Sequence, residues 1–240
     1  MPNHYFSFKE FTVWQQHCAM KVCTDACVLG AFTANRFVNS APPPKHILDI
    51  GTGTGLLSLM LAQKINAEIE AIEINKDAAQ QAQENFDTSP WASRLKTINS
   101  SLQEFAGESC YDLIIANPPF FEDDLRSNAA AKNDAKHDSS LTLHQLVEAI
   151  HKLLVTTGSA VVLIPQHRTS YFSALVSAAG MHINGVLEMR QSFTHKPFRS
   201  IVVIAKTADK FDKSILTIHD HKREYTPEFA ALLKDYYLKL

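Results

Sequence analysis

Ile47-Leu48-Asp49-Ile50-Gly51-Thr52-Gly53-Thr54-Gly55, followed by the apolar run that begins Leu56-Leu57, says more about the architecture than any other segment of the chain. A short apolar segment ends in three closely spaced glycines and passes into a longer one, the pattern of a strand feeding a helix through a turn with few side chains. In an open parallel sheet that turn is where a ligand can touch backbone, beside the free N–H groups of the first helical turn. The spacing is G-x-G-x-G. It differs from the G-x-G-x-x-G that cradles a dinucleotide pyrophosphate and from the G-x-x-x-x-G-K-[ST] of a Walker A loop, so NAD and ATP become second choices.

Downstream, apolar runs alternate with amphipathic stretches: Glu68 to Ile74, Ala78 to Phe86, Asp112 to Ala116, and then Leu141 to Leu154 with apolar residues at helical spacing. Ala160 to Ile164, Arg168 to Ala179, Ile183 to Met189 and Ser200 to Ala205 continue the series as strand, helix and two final strands. Such alternation predicts an α/β fold with a parallel sheet. Glu73 closes the second apolar run, where a carboxylate can accept both hydroxyls of a ribose, and Asn75 is placed to cap the following helix. Ser127 to Ser140, small and polar, reads as a mobile loop.

Upstream, Tyr5 to Val13 alternates aromatic and polar residues, as a half-buried strand or hairpin does, and Ala26 to Phe37 reads as a short helix. Ser40-Ala41-Pro42-Pro43-Pro44 is the strongest breaker in the chain, so residues 1–44 are expected to form an N-terminal arm packing on a main domain over 45–240.

The composition limits the function. With 240 residues, 45% of them hydrophobic, the chain can build a large core without disulfide or metal staples. No apolar stretch approaches the roughly 20 residues that span a bilayer, and Met1 to Glu10 lacks the apolar centre of a secretion signal, so a cytoplasmic location and no membrane partner are expected. A formal net charge of −2 argues against a sequence-blind DNA coater and leaves nucleic-acid contact to local basic patches. Cys18, Cys23 and Cys27 have spacings that match no zinc site, so free thiols and no metal are expected.

Asn117-Pro118-Pro119-Phe120 follows the apolar run ending at Ala116 and therefore sits on the loop leaving a central strand, over the same crevice as the glycines. Read alone, Asn before Pro is an ordinary turn. Placed there, it suits another chemistry. The prolines withhold their N–H groups and leave carbonyls to face a substrate. The Asn117 oxygen and the Pro118 carbonyl can accept the two N–H bonds of a conjugated amine and aim its nitrogen, while Phe120 offers a face for a planar base.

The D-x-G-x-G-x-G loop with an acid at the end of the next strand resembles the cofactor half of class I S-adenosylmethionine-dependent methyltransferases, and N-P-P-F looks like the motif IV of amino-methyltransferases. The resemblance implies a Rossmann-like fold, a seven-stranded mostly parallel sheet with an antiparallel last strand. Phe6-Ser7-Phe8-Lys9, Cys18-Ala19-Met20-Lys21-Val22-Cys23-Thr24-Asp25 and Leu29-Gly30-Ala31 closely resemble the start of bacterial tRNA1(Val) adenosine-37 N6-methyltransferases.

By that resemblance Lys21, Thr24 and Asp25 close over the methionine end of the cofactor, Gly51, Gly53 and Gly55 with Asp49 form motif I, and Glu73 is the ribose acid. Asn117, Pro118, Pro119 and Phe120 form the catalytic loop, Asn117 also facing the cofactor, with Phe121 doubling the aromatic step. Two departures stand out: position 23 is Cys where the family often has Gly, and Ser101 stands where many relatives carry an acid near the cofactor adenine. The implied reaction is direct in-line transfer of a methyl from S-adenosylmethionine to N6 of an adenosine in a tRNA anticodon loop, with no DNA and no obligate protein partner. Guanine N2 in ribosomal RNA, protein glutamine N5, or a non-catalytic RNA-binding role are the alternatives. Candidate phosphate contacts are Lys132, Lys136, His137, His195, Lys196, Arg199, Lys222 and Arg223.

Overall fold

The computed structural model describes residues 3–108, 110–118 and 141–240. Two short strands, β1 (Tyr5–Ser7) and β2 (Thr12–Trp14), pair as an antiparallel hairpin. Helix α1 (Thr24–Phe37) leads through the proline run into β3 (His46–Ile50), α2 (Leu56–Ala62), β4 (Glu68–Glu73), α3 (Lys76–Asp87), β5 (Leu95–Asn99) and β6 (Tyr111–Ala116). The second half comprises α4 (Leu143–Leu153), β7 (Leu154–Pro165), α5 (Thr169–Ala178), β8 (His182–Ser192), β9 (Arg199–Ala205), β10 (Asp212–His219) and α6 (Pro227–Leu233).

Among the described residues the main sheet has eight strands in the order β10-β8-β9-β7-β6-β3-β4-β5. Strands β3 to β7 run parallel, β9 lies antiparallel between β7 and β8, and β10 is parallel to β8. The expected seven strands are thus present, with β9 as the antiparallel one. The eighth, β10, is a correction to the sequence reading. Its first four residues are all exposed at the sheet edge, so they carry no alternation to reveal a strand.

Helices cover both faces, which is why β3, β6 and β7 read as nearly continuous apolar runs. On one face α1, α2, α3 and α6 share a core with the hairpin, through Phe8, Val13, Leu29, Met60, Phe86 and Phe229 among others. On the other, α4 and α5 pack through Leu146, Ile150 and Phe172. All seven residues of α2 are buried, and at Gly30 a Cβ would stand 2.7 Å from the Met60 sulfur, so glycine lets α1 lie close against α2. Asn75 caps α3 by accepting the Ala78 N–H at 3.0 Å, as expected. No helix among the described residues is long and apolar enough to cross a membrane.

The hairpin is tied to the sheet's ligand edge. The side chain of Asn85, on α3, accepts the Trp14 N–H at 2.9 Å and donates to the carbonyls of Trp14 at 2.8 Å and Thr54 at 2.9 Å. Gln15, 4% exposed, accepts the Val22 N–H at 2.9 Å and so folds the segment 16–22 back over the carboxyl ends of the strands.

Candidate active site

A cavity of about 440 Å³ opens where β3, β4 and β6 end. Its floor is Gly51, Thr52 and Gly53, one wall carries Glu73, another Asn117, and Cys18 to Cys23 form the roof. The three glycines have φ of +71°, +56° and +80°, a left-handed conformation that glycine adopts without a Cβ penalty. They serve different neighbours. A Cβ at Gly51 or Gly53 would meet nothing within 4 Å, whereas one at Gly55 would stand 2.5 Å from the Phe86 ring. Gly51 and Gly53 keep the cavity open, and Gly55, outside its lining, lets α2 start against α3.

Glu73 accepts the Gly53 N–H on one oxygen and the Asn75 N–H on the other, both at 2.9 Å. Each oxygen retains a second acceptor position, so the carboxylate is fixed in aim and still able to take a hydroxyl. Asn99 holds the same corner by donating to the carbonyls of Glu73 at 2.8 Å and Ile74 at 3.1 Å.

Asp49 lies beneath the cavity and does not line it. Its Oδ2 accepts the hydroxyls of Thr52 at 2.6 Å and Ser58 at 2.7 Å, while Oδ1 has no partner among the described residues. Complete burial pushes its carboxyl up to about 6, against the pull of those two hydroxyls. The residue holds the glycine loop to α2 from behind.

Asn117 is half-buried at the end of β6. Its Nδ2 lies 3.9 Å from the Met20 sulfur of the roof, and its buried Oδ1 has no hydrogen-bond partner among the described residues. An unsatisfied buried amide oxygen lining a cavity is a costly feature unless something enters to satisfy it. Pro118 is buried beside it. Pro119, Phe120 and Phe121, with Lys132, Lys136, His137 and the segment Ser127 to Ser140, lie outside the described residues.

The other expected cofactor contacts divide. Lys21 lines the roof, but Thr24 and Asp25 face away from the main cavity into a smaller one. Asp25 Oδ2 accepts from Arg199 Nε at 3.0 Å, so this acid fastens the start of α1 to β9. Ser101 lines the cavity, yet its hydroxyl donates to Glu104 at 2.8 Å and accepts the Glu104 N–H at 3.2 Å, which closes a local turn. Sequence reasoning did not select Met20, Ile74 or Leu102, which also line the cavity. Ile74, 58% exposed directly after Glu73, was the available signal: an apolar side chain left at a crevice edge.

Cys18 and Cys23 border the cavity as free thiols, pushed up to about 11 and about 12 by burial, and are therefore protonated and unreactive at neutral pH. Among the described residues no three His, Cys, Asp or Glu side chains converge as metal ligands.

The model of the methyltransferase small domain family matches residues 32–183. The chain is similar to the tRNA1(Val) (adenine(37)-N6)-methyltransferase of Cytophaga hutchinsonii, 40% identical over 244 residues and covering 100% of both chains. It is 41% identical over 249 residues to that of Dyadobacter fermentans, covering 99% of this chain and 98% of the relative. Among solved structures it resembles a predicted O-methyltransferase from Agrobacterium tumefaciens, with TM-score 0.67 and 15% identity over 88% of this chain and 96% of the other. P. horikoshii TYW2 in complex with MeSAdo aligns with TM-score 0.61 and 13% identity over 85% of this chain and 71% of the other. These two likenesses are of fold.

Proposed function

The chain belongs to the family of tRNA1(Val) (adenine(37)-N6)-methyltransferases, and from that premise we propose that the cavity over β3, β4 and β6 is where it methylates N6 of adenosine 37 in a tRNA anticodon loop. It is an S-adenosylmethionine-dependent methyltransferase of the methyltransferase small domain family. The observation that carries the site is the buried Asn117 Oδ1, without a hydrogen-bond partner among the described residues, which shares one cavity with the open glycine floor and Glu73.

The residues present fit the cofactor. Gly51 and Gly53 leave room for close approach to backbone, Glu73 is oriented to receive ribose hydroxyls, and Ile74 and Leu102 offer apolar surface to a flat purine. Lys21 and the rest of the roof would hold the methionine end. Ser101 contributes the form of its turn, its hydroxyl being engaged by Glu104. Asp49 and Gly55 fix the loop from behind, and Asp25 holds the start of α1 against β9; Thr24 opens that helix beside it.

When bound, S-adenosylmethionine supplies a methyl carbon on a sulfonium, a leaving group that needs no further activation. The chain's own task is the nitrogen. An adenine amine is conjugated with its ring and a poor nucleophile. Asn117 Oδ1 accepts one of its N–H bonds and the Pro118 carbonyl the other, which draws the lone pair out of the ring plane and aims it into the cavity. By the family resemblance Phe120 would offer the base a stacking face; it and Pro119 lie outside the described residues. The proton released from the nitrogen passes to water. An anticodon-loop adenosine is already outside a continuous duplex, so bringing it to this loop costs less than extruding a paired base.

The test is mass spectrometry of modified nucleosides in tRNA from cells with and without this protein, together with labelled cofactor offered to tRNA, ribosomal RNA and protein separately. Loss of N6-methyladenosine from one anticodon fragment is the expected result. Unchanged tRNA, with label arriving on guanine N2 or on glutamine, would replace this reading.

A further inference from the structure

A second concavity of about 220 Å³ lies on the same sheet edge, lined by Thr24, Asp25, Gln191, Phe198, His219 and Tyr225. Strands β8 and β10 end here at Ser192 and His219, and the antiparallel β9 begins here at Arg199, so the niche faces the same side as the ends of β3, β4 and β6. The two hollows meet along the chain: Cys23 lines the main cavity and Thr24 lines the niche.

The niche is aromatic. Phe198 is 38% exposed and Tyr225 42% exposed, and His219 stacks on Tyr225 with ring centroids 5.2 Å apart. Beside it Phe193, 45% exposed, stacks on His221 at 5.2 Å with the Arg190 guanidinium 5.1 Å from its centroid. Tyr225 is anchored from within by stacking on the buried Phe229 at 4.6 Å, so it presents its edge, and Phe198, stacked on no ring among the described residues, is the one left open, with the Arg199 guanidinium 5.7 Å from its centroid. One side of the rim is cationic: residues 190–199 carry Arg190, Lys196 and Arg199 and no acid, while on the other side Lys222 and Arg223 stand between Asp220 and Glu224. Inside, however, stands the Asp25 carboxylate, paired with Arg199. A carboxylate wall repels a phosphate and accepts an N–H, so the interior suits a base and the rim suits the phosphates on either side of it.

We infer that this niche holds an unpaired nucleobase flanking the methylated adenosine, stacked on Phe198 and bounded by the edge of Tyr225, with its phosphates on Lys196, Lys222 and Arg223. The inference rests on the reading of the main cavity as a tRNA methylation site and adds the contact that holds the loop while the target base enters. Stacking of this kind tolerates any base, because each has a π-face.

Phe198→Leu and Tyr225→Leu keep apolar bulk and remove the rings. Each is expected to raise KM for tRNA about 5- to 100-fold, with kcat and cofactor affinity within about twofold, and Phe198→Tyr and Tyr225→Phe are expected to restore KM. A tRNA stem-loop carrying 2-aminopurine next to adenosine 37 is expected to lose fluorescence on binding the parent enzyme and to keep it with the Leu variants. Unchanged KM in both Leu variants, or equal quenching by parent and variants, overturns the niche. Methylation of tRNA by the parent enzyme tests the main cavity alone, so the two assignments fail separately.

Discussion

The two hollows on this sheet edge are built by opposite means. The larger has a floor of glycines in left-handed conformation, a carboxylate clamped by two backbone N–H groups and an amide oxygen with no partner among the described residues. The smaller is walled by rings, with cations along one side of it. Backbone and clamped groups define position to a fraction of an ångström, which a methyl transfer requires because only near-attack geometry reacts. Rings define a plane and little else, which suits an RNA strand whose role is to be held. On the readings proposed above, one sheet edge separates positioning for chemistry from holding for affinity.

The sharpest way to break the contrast is Asn117→Ala. Turnover is expected to fall roughly 10²- to 10³-fold with cofactor affinity almost unchanged, measured by steady-state kinetics and calorimetric titration. If the variant turned over normally, the positioning half of the comparison would be lost. Within the glycine loop, Gly55→Ala is expected to cost about 2–4 kcal/mol of stability in a denaturant melt, because the added methyl meets the Phe86 ring and φ is +80°. Gly53→Ala is expected to cost only about 1 kcal/mol of backbone strain while weakening cofactor binding roughly tenfold, since its methyl enters open cavity.

Asp49 sharpens the comparison through pH. Its folded carboxyl titrates near 6 against the ordinary 3.8, so the folded state holds the proton more tightly and this group's contribution to stability falls as pH rises from about 4 through 6. Asp49→Asn is expected to remove about 2–3 kcal/mol of that decline in melts across the window. A variant with the parent's pH profile would mean the carboxylate is better solvated than its burial indicates. The smallest effect is expected at the ion pair that fastens α1 to β9: Asp25→Asn should cost about 1 kcal/mol, with a double-mutant cycle to Arg199→Gln showing coupling of similar size.

The glycine floor, Glu73 and Asn117 were legible in the sequence because each is a local event: a turn signal after an apolar run, or an acid at its end. The roof was legible only through resemblance, since Met20 reaches Asn117 by tertiary contact and nothing at position 20 announces it. Thr24 and Asp25 matched a motif, yet α1 turns them toward β9, an orientation that motif spacing does not contain. Strand β5, Leu95-Lys96-Thr97-Ile98-Asn99, has two apolar residues and sits at the sheet edge, so it lacked a pattern to read. The aromatic niche was invisible for a stronger reason. Its walls come from the start of α1, the β8–β9 turn and the end of β10, and β10 itself did not read as a strand.

Asn85 gives the arm a consequence beyond packing. One side chain on α3 holds the backbone of the hairpin at Trp14 and of the glycine loop at Thr54. The hairpin and the loop are therefore thermodynamically linked: a ligand that quiets the loop must also slow solvent exchange at the Trp14 amide, which lines no part of the cavity.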